Sequence, residues 1–107
     1  MSLESDVTQR GATAAIALRG RIDRDAGDAL DRAYTAAHGI APQVIELDFT
    51  QVDYINSTGI ALIVGLLARA RAQKVTVRAA GLTAHYQHIF EITRLSDFIE
   101  IVQPVGH

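Results

Sequence analysis

The chain has 107 residues, a formal net charge of −2 and 49% apolar residues, which suits one autonomously folding domain with a single core. It contains no cysteine, so a disulfide framework, thiol catalysis and cysteine-based metal sites are excluded. Positive and negative residues are interspersed, without the basic field that nucleic acid or an anionic membrane surface requires. The longest apolar run, residues 60–68, is about half the length of a membrane span. With no secretory leader read at its start, the expectation is a cytoplasmic protein with no nucleic-acid partner and no membrane insertion.

Residues 4–9, the turn Arg10-Gly11 and the small and β-branched residues of 12–18 read as a hairpin, with Gly20-Arg21-Ile22-Asp23 as a closing turn. From Asp25 the period changes: Ala26, Leu30, Ala33, Tyr34 and Ala37 recur every three or four residues, predicting an amphipathic helix stopped at Gly39. Pro42 leads into a strand over 44–49, where apolar residues alternate with Glu46 and Asp48. A helix is predicted over 57–73, a short strand over 75–78, and a helix over 82–92 with Tyr86, Ile89 and Phe90 on its inner face. Residues 98–102 read as a closing strand. This order implies an α/β fold: a single domain over 1–107 with a mixed, mainly parallel sheet of four to five strands flanked by helices. Right-handed crossovers would join the parallel strands, and one antiparallel strand would lie at the edge.

Most chemistry concentrates between the third strand and the second helix, in Tyr54-Ile55-Asn56-Ser57-Thr58-Gly59-Ile60. The segment reads as a tight polar turn opening an apolar helix, and Asn56, Ser57 and Thr58 are all competent helix caps. An anion, above all a phosphate on a serine, is stabilised at such a helix start. No base or lysine stands in the segment, so the pattern suits a switch better than a catalyst. In the helix itself Ile60, Ile63, Val64 and Leu67 form one apolar stripe and Leu62 and Leu66 a second. One stripe can pack on the sheet; the other needs a partner or the flanking helices to cover it. His85 and His88 lie one turn apart without a third ligand, and Asp48 and Asp53 read as turn-closing residues, so no metal and no cofactor are expected. Asn56-Ser57-Thr58 also fits the glycosylation pattern, which has no meaning without a secretory signal.

Taken together, Gly20-Arg21-Ile22-Asp23, the strand 44–49, the stretch 52–60 and Leu95-Ser96-Asp97-Phe98 carry a resemblance. In order and spacing the chain resembles a STAS domain of the anti-sigma factor antagonist type over nearly its whole length. The resemblance implies that Ser57 accepts a phosphoryl group from a serine kinase that is also an anti-sigma factor. Asp23 would face the acceptor motif, and Asn56, Thr58 and Gly59 would border it. Unphosphorylated, such a domain binds the kinase and frees the sigma factor; a metal-dependent serine phosphatase resets it. The chain departs from the family pattern at Asn56, where Asp is usual, and at Ile60, where Leu is usual. The expected partner surface combines Arg21, Ile22 and Asp23 with Gly59, Ile60, Ala61, Leu62 and Leu66, on a monomer or weak dimer. A non-phosphorylated docking module of a signalling assembly or of a lipid or anion transporter is the alternative. A small enzyme with Ser57 as nucleophile is disfavoured, because neither a base nor a Gly-x-Ser-x-Gly elbow accompanies it.

Overall fold

In the computed structural model, which describes residues 3–102, the strands form one five-stranded sheet in the order β1-β2-β3-β4-β5. β1 (Glu4–Arg10) and β2 (Thr13–Ile22) are antiparallel, joined at Gly11, whose φ of 60° is the left-handed conformation that glycine tolerates. β3 (Val44–Ile55), β4 (Thr76–Ala80) and β5 (Glu100–Ile101) then add in parallel. The intervening helices are α1 (Gly27–His38), α2 (Ser57–Ala72) and α3 (Ala84–Ile92), with short 3-10 turns at Arg24–Ala26 and Leu95–Asp97. Each crossover steps to the next strand in the same direction, and right-handed connections of that kind lay their helices on one face. That face carries Ala14, Ile16 and Leu18 of β2, Ile45, Leu47 and Phe49 of β3, and Val77 and Ala79 of β4, all buried. The opposite face is dressed with exposed ion pairs, Arg10 to Glu46 at 2.9 Å and Arg19 to Asp6 at 2.7 Å, each worth no more than about 1 kcal/mol.

α1 buries Leu30, Ala33, Tyr34 and Ala37, the stripe that its sequence period announces. The Tyr34 hydroxyl donates to Gln73 Oε1, and the Arg69 guanidinium lies 4.5 Å from the Tyr34 ring, tying α1 to the far end of α2. Thr83 caps α3 by accepting the Tyr86 N–H at 3.2 Å, and Phe90 of α3 meets Phe49 of β3 edge-on with centroids 5.9 Å apart. Core contact, more than helix propensity, holds the short α3 in place.

Three sequence expectations need correction. Gly20-Arg21-Ile22 is strand, not turn: β2 follows β3 as far as Ile22 opposite Ile55, with register shifts between Ala17 and Arg19 and between Gly20 and Arg21 absorbing the irregularity. Gly20, at φ 106°, supplies the backbone freedom there. β3 likewise continues beyond residue 49 to Ile55, so Asp48 and Asp53 do not close turns. Asp48 Oδ1 instead accepts the Thr50 N–H at 2.9 Å and the Thr50 hydroxyl at 2.6 Å within the strand, and Asp53 is an exposed strand residue. The last strand is only Glu100–Ile101, because Phe98 still belongs to the close of the preceding 3-10 turn and is exposed. What matters for the site is length. The β3–β4 pairing ends at Asp48 opposite Ala80, so the end of the β2–β3 ribbon projects beyond β4 and carries the start of α2 with it.

Candidate functional site

Asn56 ends the extended run at φ −104° and ψ −178°, and its Oδ1 accepts the Gly59 N–H at 2.8 Å while its carbonyl accepts the Ile60 N–H at 2.9 Å. It is the N-cap of α2. Ser57 and Thr58 are therefore the first two residues of a 16-residue helix, both exposed, with N–H groups that have no partner inside the helix. Neither hydroxyl bonds to another group among the described residues. No acidic residue stands in the first turn of α2, so charge placed on either hydroxyl would meet the positive end of the helix dipole without repulsion from the helix itself.

The turn is held by close backbone approach. The Asn56 N–H donates to the Ile22 carbonyl at 3.3 Å, and an ideal Cβ on Gly59 would stand 1.9 Å from that same oxygen. Only glycine lets the first turn of α2 rest on the end of β2 in this way. Asp23, directly after β2, caps the 3-10 turn by accepting the Asp25 N–H at 3.0 Å and lies 3.5 Å from Arg21 Nε. The Arg21 guanidinium in turn covers the Tyr54 ring at 4.2 Å. Arg21, Asp23 and Tyr54 thus form one cluster where β2 and β3 end, and β3 leads from there through Asn56 to exposed Ser57 and Thr58, half-buried Ile60 and exposed Ala61 on α2.

The expected surface loses three members. Ile22 is 0% exposed, Leu66 is 5% exposed and Gly59 is buried, so these residues support the site from beneath and offer no contact of their own. Leu62 is half-buried, 3.7 Å from where a Cβ on Gly27 would stand. The second apolar stripe of α2 is thus covered from within the fold at Leu66 and in part at Leu62, which packs beside the start of α1. Val64, grouped by its spacing with Ile60, Ile63 and Leu67, is 46% exposed while Ile63 and Leu67 are buried. Two residues of the neighbourhood have no site role in the sequence reading. Tyr54, an exposed aromatic two positions before the cap, could have been found by its outward place in the strand alternation. Tyr86, whose hydroxyl accepts the Ile55 N–H at 3.0 Å, leaves no local sequence signal, because the bond depends on how far β4 extends. His85 and His88 are exposed; among the described residues no group of three or more metal-binding side chains forms, and no helix is long and apolar enough to cross a membrane.

Comparison with known proteins identifies the family and the fold. The family model described as "Mlab, STAS domain" matches residues 5–103. The chain belongs to the STAS domain family. Among curated relatives, the anti-sigma-B factor antagonist of Listeria monocytogenes is 37% identical over 73 residues, which is 68% of this chain and 61% of that protein. The match therefore spans about three-fifths of the relative's length. Among solved structures, an anti-sigma factor antagonist from Mycobacterium paratuberculosis superimposes with a TM-score of 0.76 at 15% identity, covering 96% of this chain and 87% of that one. The anti-sigma factor antagonist SpoIIAA in its unphosphorylated form gives 0.71 at 16% identity, covering 94% and 89%. The phosphorylated form of Bacillus SpoIIAA gives 0.68 at 17%, covering 92% and 91%. These likenesses establish the shared fold.

Proposed function

We propose that this chain is an anti-sigma factor antagonist that works by partner switching, with Ser57 as the phosphoacceptor and no catalysis of its own. The observation that carries the reading is the Ser57 hydroxyl: exposed, unbonded and on the first turn of α2, at the position where the family carries its acceptor. The antagonist name of the Listeria relative and the existence of SpoIIAA in two phosphorylation states support it. In the transfer, Ser57 Oγ bonds to the terminal phosphorus of ATP held by the partner kinase, the bond to ADP breaks, and the hydroxyl proton passes to the kinase. This chain's contribution is presentation: α2 holds the hydroxyl clear of other groups, and the free N–H groups of Ser57 and Thr58 accommodate the product.

The release follows from charge. A phosphoserine carries about −1.5 to −2 at neutral pH, and at an effective dielectric near 20 each unit charge about 5 Å from an acidic group of the partner costs roughly 3 kcal/mol. That is a weakening of more than about a hundredfold. A metal-dependent phosphatase that removes the group would restore binding. In titrations against the anti-sigma factor kinase, Ser57→Ala is expected to bind as wild type does and Ser57→Asp to lose about tenfold or more, having less charge than a phosphate. Equal affinity of the two variants would remove the switch.

Asn56 favours one further reading. Where the family usually places a carboxylate next to the acceptor, this chain has a neutral amide that still caps α2. A constitutive docking module of a signalling assembly or of a lipid or anion transporter would need the cap and not the charge. Asn and Asp cap about equally well, so Asn56→Asp is expected to leave thermal stability within about 0.5 kcal/mol. Phosphorylation of Ser57 in wild type at a rate within about tenfold of Asn56→Asp supports the switch; transfer to neither supports the docking module.

A further inference from the structure

Successive N–H groups along a strand point to opposite edges. At the end of β3 the Asn56 N–H points to β2 and donates to Ile22, so the Ile55 N–H points to the other edge, where β4 would stand. β4 does not reach it, since its last partner in β3 is Asp48. An edge N–H in that position is ordinarily left to water or capped from elsewhere. Here the Tyr86 hydroxyl of α3 accepts it at 3.0 Å. Four residues further along the same helix, Phe90 packs edge-on against Phe49, the first β3 residue beyond the β4 pairing. α3 thus packs on β3 just past the β4 pairing and, at the far end, supplies through Tyr86 the one bond that a longer β4 would have made to Ile55. Asn56 and Ser57 follow immediately.

Resting on the reading of Ser57 as acceptor, we propose that Tyr86 is a positioning residue of the switch: its hydroxyl fixes the direction in which β3 leads into α2 and thereby the place of the Ser57 hydroxyl. The other bonds that hold the turn, Asn56 N–H to Ile22 and the Gly59 and Ile60 N–H groups to Asn56, lie on the β2 side or within α2. The bond from Tyr86 alone among these restrains the turn from the β4 side. Without it the end of β3 can pivot about its pairing with β2, and a small displacement of an attacking hydroxyl is costly to group transfer while surface contacts persist.

The test compares Tyr86→Phe, which keeps the ring and removes the hydroxyl, with Thr93→Ala, which removes the bond from Thr93 Oγ1 to the Ile89 carbonyl at the other end of α3. Amide hydrogen exchange is followed residue by residue, and phosphorylation by the partner kinase is measured at varied protein concentration. For Tyr86→Phe we expect exchange at the hydrogen-bonded amides of Ile55, Asn56 and Gly59 to quicken by about five- to tenfold relative to the rest of β3, with kcat lowered about tenfold and KM changed less than about twofold. Thr93→Ala should leave both the turn and kcat as in wild type. Wild-type exchange at Ile55 in Tyr86→Phe, or equal effects from the two variants, would overturn the proposal and reduce Tyr86 to a general support of α3. If wild type gains no phosphate, the acceptor reading fails, and the exchange measurement alone still decides whether Tyr86 holds the turn.

Discussion

Leu66→Asp is expected to unfold the protein. Leu66 is 5% exposed, on the side of α2 that also buries Ile63, Leu67 and Ala70. Removing its side chain from the core costs about 2–3 kcal/mol of burial, and a carboxyl group in its place, with no hydrogen-bond partner, costs several kcal/mol more. A domain of this size has about 5–15 kcal/mol in total. Val64→Asp, two positions earlier on the same helix but 46% exposed, carries the same change of charge and is expected to cost about 1 kcal/mol or less. Circular dichroism with urea titration compares them directly. Similar losses in both variants would contradict the burial pattern of α2.

Gly59→Ala should be strongly damaging for a change of one methyl group. The added Cβ would lie 1.9 Å from the Ile22 carbonyl oxygen and 2.7 Å from its carbon, which are backbone atoms of a paired strand and cannot rotate away. The first turn of α2 must lift off β2, breaking the contact that sets Ser57 in place. A cost of about 3 kcal/mol, at the upper end for overpacking, is expected in urea denaturation, together with loss of partner binding. Gly65→Ala is the counterpart. Nothing lies within 4 Å of its Cβ position in the exposed middle of the same helix, so the substitution should stabilise by about 0.5–1 kcal/mol through helix propensity alone. A loss at Gly65 or tolerance at Gly59 would show that α2 sits differently on the sheet.

The contrast between Leu66 and Val64 also marks where the sequence stops being informative. α1 has charged residues between its apolar ones, so its buried face could be read from spacing, and Leu30, Ala33, Tyr34 and Ala37 are buried as that spacing requires. From Ser57 to Ala68 α2 has no charged residue at all, so its period does not distinguish the core side from the solvent side. Only the pose of the helix on β2 settles it. The same reason lengthened β3: past Phe49 the apolar alternation is diluted by Thr50, Gln51 and Asp53, which looks like a turn, yet pairing with β2 keeps the chain extended to Ile55. The cap of α2, by contrast, is a local matter of one side-chain oxygen and one backbone N–H, so residue types narrow it to Asn56, Ser57 and Thr58, and the Asn56 bond to Gly59 decides among them. The Tyr86 bond to Ile55 joins residues 31 positions apart and required the register of the sheet.

Whether Ser57 is the hydroxyl through which this domain changes partners is tested most directly by incubating the protein with its partner serine kinase, magnesium and ATP, then locating the product by mass spectrometry of the peptide that contains residues 56–60. One phosphate on Ser57 in wild type, absent from Ser57→Ala, is the expected result. A phosphate on Thr58, or none with a kinase shown to be active on another substrate, would contradict the account and leave a domain that docks without a switch.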